Sequence, residues 1–97
     1  LARVVISHRS PTQARAEAKK LAGAVRDFLA RHALAGDVLG PQTAPLSRLR
    51  NAYRFDFLIR APHAGKLLEI LNVLRNNKIL TPNTRHAMVD VDPVSLL

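Results

Sequence analysis

Residues 52–60, AYRFDFLIR, alternate strictly: Tyr53, Phe55, Phe57 and Ile59 fall on one side, and Arg54, Asp56, Leu58 and Arg60 on the other. A period of two with one apolar set predicts a half-buried strand. Residues 2–8, ARVVISH, read as a second strand. After them the period changes. Ala14, Ala18, Leu21, Val25, Phe28 and His32 recur at spacings of four and three, one face of an amphipathic helix of about twenty residues. Ser10 suits its N-cap and Pro11 its first position. Gly36 is the expected stop signal. Residues 37–39, DVL, predict a short strand running into Gly40-Pro41, and residues 42–51, QTAPLSRLRN, a loop. Pro62 precedes a second helix with Leu67, Ile70, Leu71 and Leu74 as its apolar stripe, ending near Asn76-Asn77. A polar turn, TPNTRH, leads to a last strand, HAMVDVD, stopped by Pro93.

The order is strand, helix, strand, strand, helix, strand. That order predicts an α+β fold of the split βαβ, ferredoxin-like kind: a four-stranded sheet with two helices packed on one face. Residues 1–97 form a single domain on this reading. A chain of 97 residues suffices for one modest core, and 47% apolar residues argue against disorder. No apolar run approaches the 18 or so residues of a bilayer span, and nothing resembles a signal peptide. The first residue is Leu1 and not Met, which suggests a piece of a longer protein.

Charge changes the picture. Fifteen basic and seven acidic residues give a net charge of +8. Most of the basic residues are Arg, whose planar fork pairs with phosphate and stacks on bases. Such an excess favours a polyanionic partner: DNA, RNA or an acidic protein tail. The competing reading is a GC-rich genome, in which Arg and Ala codons are frequent.

Catalytic chemistry finds little support. Neither a GxxxxGK[ST] loop nor a GxGxxG motif is present, and there is no Cys. A chain without Cys forms no disulfide or thiolate metal site and suits a reducing cytosol. His8, His32, His63 and His86 lack metal-ligand spacing and read as surface or edge histidines. Asp90 and Asp92 share a strand face and have the chemistry for Mg²⁺, but a structural role as partners for Arg54 or Arg60 is preferred. No cofactor and no metal is expected.

The arginines carry the functional signal. Arg48, Arg50, Arg54 and Arg60 flank or lie on the alternating strand. If the segment is extended, all four project to one side, with about 6.6–7 Å between alternate residues, a spacing close to that of successive phosphates. Such a row would neutralise a nucleic-acid backbone without reading its sequence. The bland alternative is a solvated edge that discourages strand pairing. Tyr53 has the ring for base stacking, yet it shares the alternation of Phe55 and Phe57, for which a core position is preferred. Lys66 and the basic face of the first helix (Arg15, Lys19, Lys20, Arg26 and Arg31) extend the field.

Two blocks of the chain resemble a known family. VLGP at 38–41 followed by APLSRLRNAYRF at 44–55, and VDVDPVSLL at 89–97, resemble the C-terminal domain of the PriA family, the bacterial replication-restart helicases (primosomal protein N-prime). The blocks occur in the right order and cover about 60 residues. Asn51 and Ala52 depart from the glycine and extra basic residue often found before the aromatic strand. The resemblance implies a cytoplasmic, nucleoid-associated protein and a non-catalytic C-terminal domain of a larger helicase, whose ATPase lobes and zinc region would lie upstream. It implies binding of branched, duplex or single-stranded DNA at stalled forks, for which the charge and spacing above offer Arg48, Arg50, Arg54, Arg60, Lys66 and Tyr53 as the contact residues. The remainder of the helicase is an implied partner, and the acidic tail of single-stranded DNA-binding protein a possible one. Two alternatives stay open: a protein-interaction module receiving that tail, and a ribosomal-type RNA-binding domain.

Overall fold

The computed structural model describes the backbone of residues 1–49, 52–80 and 88–93, and the side chains of 1–43 and 52–80. Its elements are β1 (Ala2–His8), α1 (Pro11–Arg31), β2 (Asp37–Leu49), β3 (Ala52–Arg60), α2 (Ala64–Asn76) and β4 (Met88–Pro93). The sheet order is β2-β3-β1-β4, with every neighbouring pair antiparallel. The α+β class agrees with the pattern read from the chain.

One face of the sheet makes the core. Val4 and Ile6 of β1 stand across from Phe57 and Phe55 of β3, so their side chains share a face. That face meets Ala18, Ala22, Val25 and Leu29 of α1 and Leu67, Ile70, Leu71 and Leu74 of α2 in one apolar cluster. The α2 stripe is the expected one. The α1 stripe is turned by one position: Ala22 and Leu29 are buried, whereas Leu21 and Phe28 are only partly covered. Alanines at 14, 18 and 22 let the helix backbone approach the sheet closely, and that contact outweighs the larger side chains in setting the rotation.

The helix ends follow local hydrogen-bonding logic. Ser10 Oγ accepts from Gln13 N at 3.3 Å, and Pro11 opens α1 as expected. The stop is not Gly36. His32 is the C-cap, and Ala33 turns left-handed at φ 50°. Ala33 N donates to Ala30 O and Leu34 N to Leu29 O, the paired closure that satisfies the last carbonyls. Lys78, at φ 59°, ends α2 in the same way. Ala33→Gly removes the Cβ penalty of this conformation and is expected to stabilise the fold by about 0.5–1 kcal/mol. A urea midpoint that stays put or falls would contradict this. At the other end of α2, His63 is the N-cap, with Nδ1 accepting from Lys66 N at 3.1 Å. Cap preferences give little reason to expect histidine there.

The largest departure from expectation is β2. Residues 37–39 begin a strand that continues through the proline-rich segment to Leu49, where the pattern predicts a loop. Two register shifts, between Leu39 and Gln42 and between Thr43 and Arg48, absorb the mismatch. The position of β2 explains the tolerance. It is an edge strand, so a proline without N–H forfeits no bond on its open side. Gly40 sits at φ 102°, and a Cβ there would stand 3.3 Å from Asp56 O.

The second face of the sheet is not simply solvated. Asp56 is 2% exposed and Val5, directly across from it, 6%. Asp56 Oδ1 is buried with no hydrogen-bond partner among the described residues. Alternation assigns Asp56 to a polar, open face; the structure buries it.

Candidate nucleic-acid interface

The arginines singled out in the chain divide into different environments. Arg60 closes β3 across from Asp37, the first residue of β2. Its Nε donates to Asp37 Oδ1 at 3.0 Å and its terminal NH2 to Oδ2 at 2.6 Å, a two-pronged ion pair on the surface. The partner expected for Arg60 was Asp90 or Asp92. The register instead pairs Asp90 with Val5 and Asp92 with Arg3, so β1 separates β4 from β3.

The hydrogen bond from Arg60 holds the Asp37 carboxyl below its usual pKa, assisted by the positive charge and opposed by slight burial; the same bond raises Arg60. A depressed acid contributes stability that is fully present above the ordinary carboxylate pKa and is lost as pH falls through the lowered value. Asp37→Asn is therefore expected to flatten part of the acid limb of a stability-versus-pH profile. Both groups are half exposed, so the effect is small. An acid limb identical in the variant would contradict the assignment.

Arg54 stands across from Ser7 on β1, on the face that holds Asp56, and is partly buried. Arg48 pairs with Tyr53, one position out of phase with Arg54. Cross-strand partners share a face, so the backbone register does not align Arg48, Arg54 and Arg60 in one row. The shift between Thr43 and Arg48 is the cause. Arg50 lies outside the described residues, as does the side chain of Arg48. Tyr53 is partly buried across from His8. Phe57 is fully buried and Phe55 packs against the core from its margin. Lys66, in the first turn of α2, pairs with Glu69 at 3.2 Å. Of the expected contact set, Arg60 and Lys66 each pair with an acidic residue of this chain, Asp37 and Glu69.

A second basic surface lies on α1. Arg15, Lys19 and Arg26 are spaced four and seven apart and share one side of the helix, facing β2. Arg26 reaches across to the strand: its NH2 group lies 3.4 Å from both Val38 O and Gly40 O. These bonds tie the edge strand to the helix where the register first slips. Helical spacing of the three cations is legible in the chain; their meeting with β2 is not, because that segment reads as a loop.

The chain is a small α+β domain with net charge +8 and a basic helix face beside the edge strand β2. Comparison with known proteins gives the family. The primosomal protein N C-terminal domain family matches residues 1–94, and the chain belongs to it. The chain is also similar to the probable replication restart protein PriA of Deinococcus radiodurans, with 36% identity over 74 residues. That stretch is 76% of this chain and 8% of the relative's length.

Proposed function

We propose that this chain is the DNA-binding, non-catalytic C-terminal domain of a replication-restart helicase, and that it holds branched or duplex DNA by its phosphates. The observation that carries the reading is the excess of eight positive charges on a domain of this family. Its candidate cations are Arg48, Arg50 and Arg54 in the β2–β3 segment, and Arg15, Lys19 and Arg26 on the side of α1 that faces β2. Arg60 serves the fold through Asp37 and takes no part in the grip. Tyr53, next to Arg54 on β3, and Lys66, in the first turn of α2, are the remaining candidate contacts. Contacts to phosphate give affinity without reading bases, so binding by the domain alone is roughly micromolar or weaker. Tethering to the rest of a helicase raises the local concentration and lets weak contacts orient a fork. Unwinding, ATP hydrolysis and fork recognition belong to the parent protein in this proposal, which acts in the bacterial cytoplasm.

The test is fluorescence anisotropy with a labelled forked DNA, a plain duplex, a structured RNA and an acidic peptide ending in apolar residues. Both DNA probes are expected to bind. Neutralising Arg48, Arg50 and Arg54 together is expected to weaken duplex binding at least tenfold. Peptide binding without DNA binding would make this an interaction module, and preference for the RNA would place it with ribosomal-type domains.

A further inference from the structure

A cleft of about 280 Å³ lies where α1 meets the margin of the sheet, lined by Arg15, Lys19, Pro41, Gln42, Thr43 and Phe55. Its chemistry is divided. Arg15 and Lys19 stand one helical turn apart on the rim, both exposed, and neither has an ion-pair partner among the described residues. Glu17 is two positions from each, about 200° around the helix, and so points elsewhere. Gln42 and Thr43 add polar groups from an edge strand. Phe55 is half in the core and half in the cleft. Arg26, bonded to Val38 O and Gly40 O, holds the strand that forms the far wall.

We propose that this cleft is a subsite for single-stranded DNA, taking two successive phosphates on Arg15 and Lys19 and one unstacked base against Phe55 and Pro41. The inference rests on the DNA-binding reading above and refines it. Three features select this ligand. Residues four apart on a helix are about 5–6 Å apart at Cβ, which suits two cations reaching neighbouring phosphates. An aromatic margin beside those cations offers a stacking surface, and stacking tolerates any base. The cleft is smaller than the roughly 300–1,000 Å³ of most ligand pockets, so it suits one nucleotide unit and not a large ligand. A base inside a duplex cannot reach Phe55, so the subsite belongs to an unpaired arm. On a fork, the β2–β3 arginines hold the duplex and the α1 cleft the displaced strand.

The test uses the 97-residue chain with (dT)10, a plain duplex and an acidic peptide, read by anisotropy and by amide chemical shifts. The Arg15→Ala/Lys19→Ala variant is expected to bind (dT)10 at least tenfold more weakly at low salt. Its log–log salt slope is expected to be shallower by about 1.4, since each phosphate contact on a single strand contributes about 0.7. Both side chains are exposed, so the fold survives the double change. Phe55→Leu keeps apolar volume but removes the ring, and is expected to weaken (dT)10 about fivefold or more. In the parent chain, (dT)10 is expected to shift the amides of Gln42 and Thr43. DNA binding with those amides unmoved and the double variant unchanged would overturn the cleft and leave the DNA-binding reading standing. Shifts at Gln42 and Thr43 with the peptide but not with (dT)10 would overturn it in favour of a protein ligand. No binding of any DNA would overturn both proposals.

Discussion

Phe57→Ala is expected to lower the free energy of unfolding by about 3–5 kcal/mol. The ring is fully buried on β3, a central strand, with Val4 directly across on β1. On the side of β2, the backbone of Gly40 comes close: a Cβ placed there would lie 3.4 Å from Phe57 Cα. Strands held on both sides and helices above leave the site little freedom to collapse around a lost ring, so most of the cavity persists. A domain of this size has about 5–15 kcal/mol of stability in all. The variant therefore loses about a fifth or more of it. Phe55→Ala serves as the internal comparison, because that ring is partly exposed at the cleft and is expected to cost less. Urea unfolding of both variants checks the ranking. Equal losses, or a Phe57 loss below about 1 kcal/mol, would mean that the core is not centred on β3.

Asp56→Val is expected to act in the opposite direction, raising stability by about 1–3 kcal/mol, the usual cost of a buried polar group left without a partner. Asp56 is 2% exposed and its Oδ1 has no hydrogen-bond partner among the described residues. Its neighbour across β1 is Val5, also buried, so a branched apolar side chain meets an apolar one. Valine also favours a strand where aspartate does not. Most substitutions of buried residues destabilise. A gain here would identify Asp56 as a residue retained at some expense to the fold. A loss would show that the carboxylate is satisfied in solution and anchors this face of the sheet.

The chain discloses its regular elements more readily than its edge. The alternation at 52–60 and the stripe at 67–74 follow from one buried face each, and β3 and α2 have the bounds those patterns imply. Ser10-Pro11 marks the start of α1 because capping is a local matter. The end of α1 is hidden, since Ala33 adopts a conformation that sequence reasoning reserves for glycine. β2 is hidden for a tertiary reason. Its prolines and glycine suit a loop, and only its place at the edge of the sheet, with two register shifts, lets it pair.

The candidate site is legible in composition and not in geometry. Arginine content points to a polyanion. On the backbone register Arg48 is out of phase with Arg54, because of the slip before it, and Asp37 takes the guanidinium of Arg60; Arg50 lies outside the described residues. Arg15 and Lys19 carry an ordinary helix spacing that gains meaning only when Gln42, Thr43 and Phe55 come up beside them. The family resemblance of residues 38–55 and 89–97 agrees with a family match over residues 1–94, a range that also takes in the first helix.

The central claim is that this domain grips DNA through its phosphates. The most direct measurement is the affinity of the wild-type chain for a forked DNA as salt rises from about 50 to about 200 mM. Three neutralised phosphates give a log–log slope of about −2.7, so binding should weaken roughly 40-fold over that fourfold range. Affinity that is absent at 50 mM, or that changes less than about twofold by 200 mM, would contradict the claim and leave the positive charge of this domain to another partner.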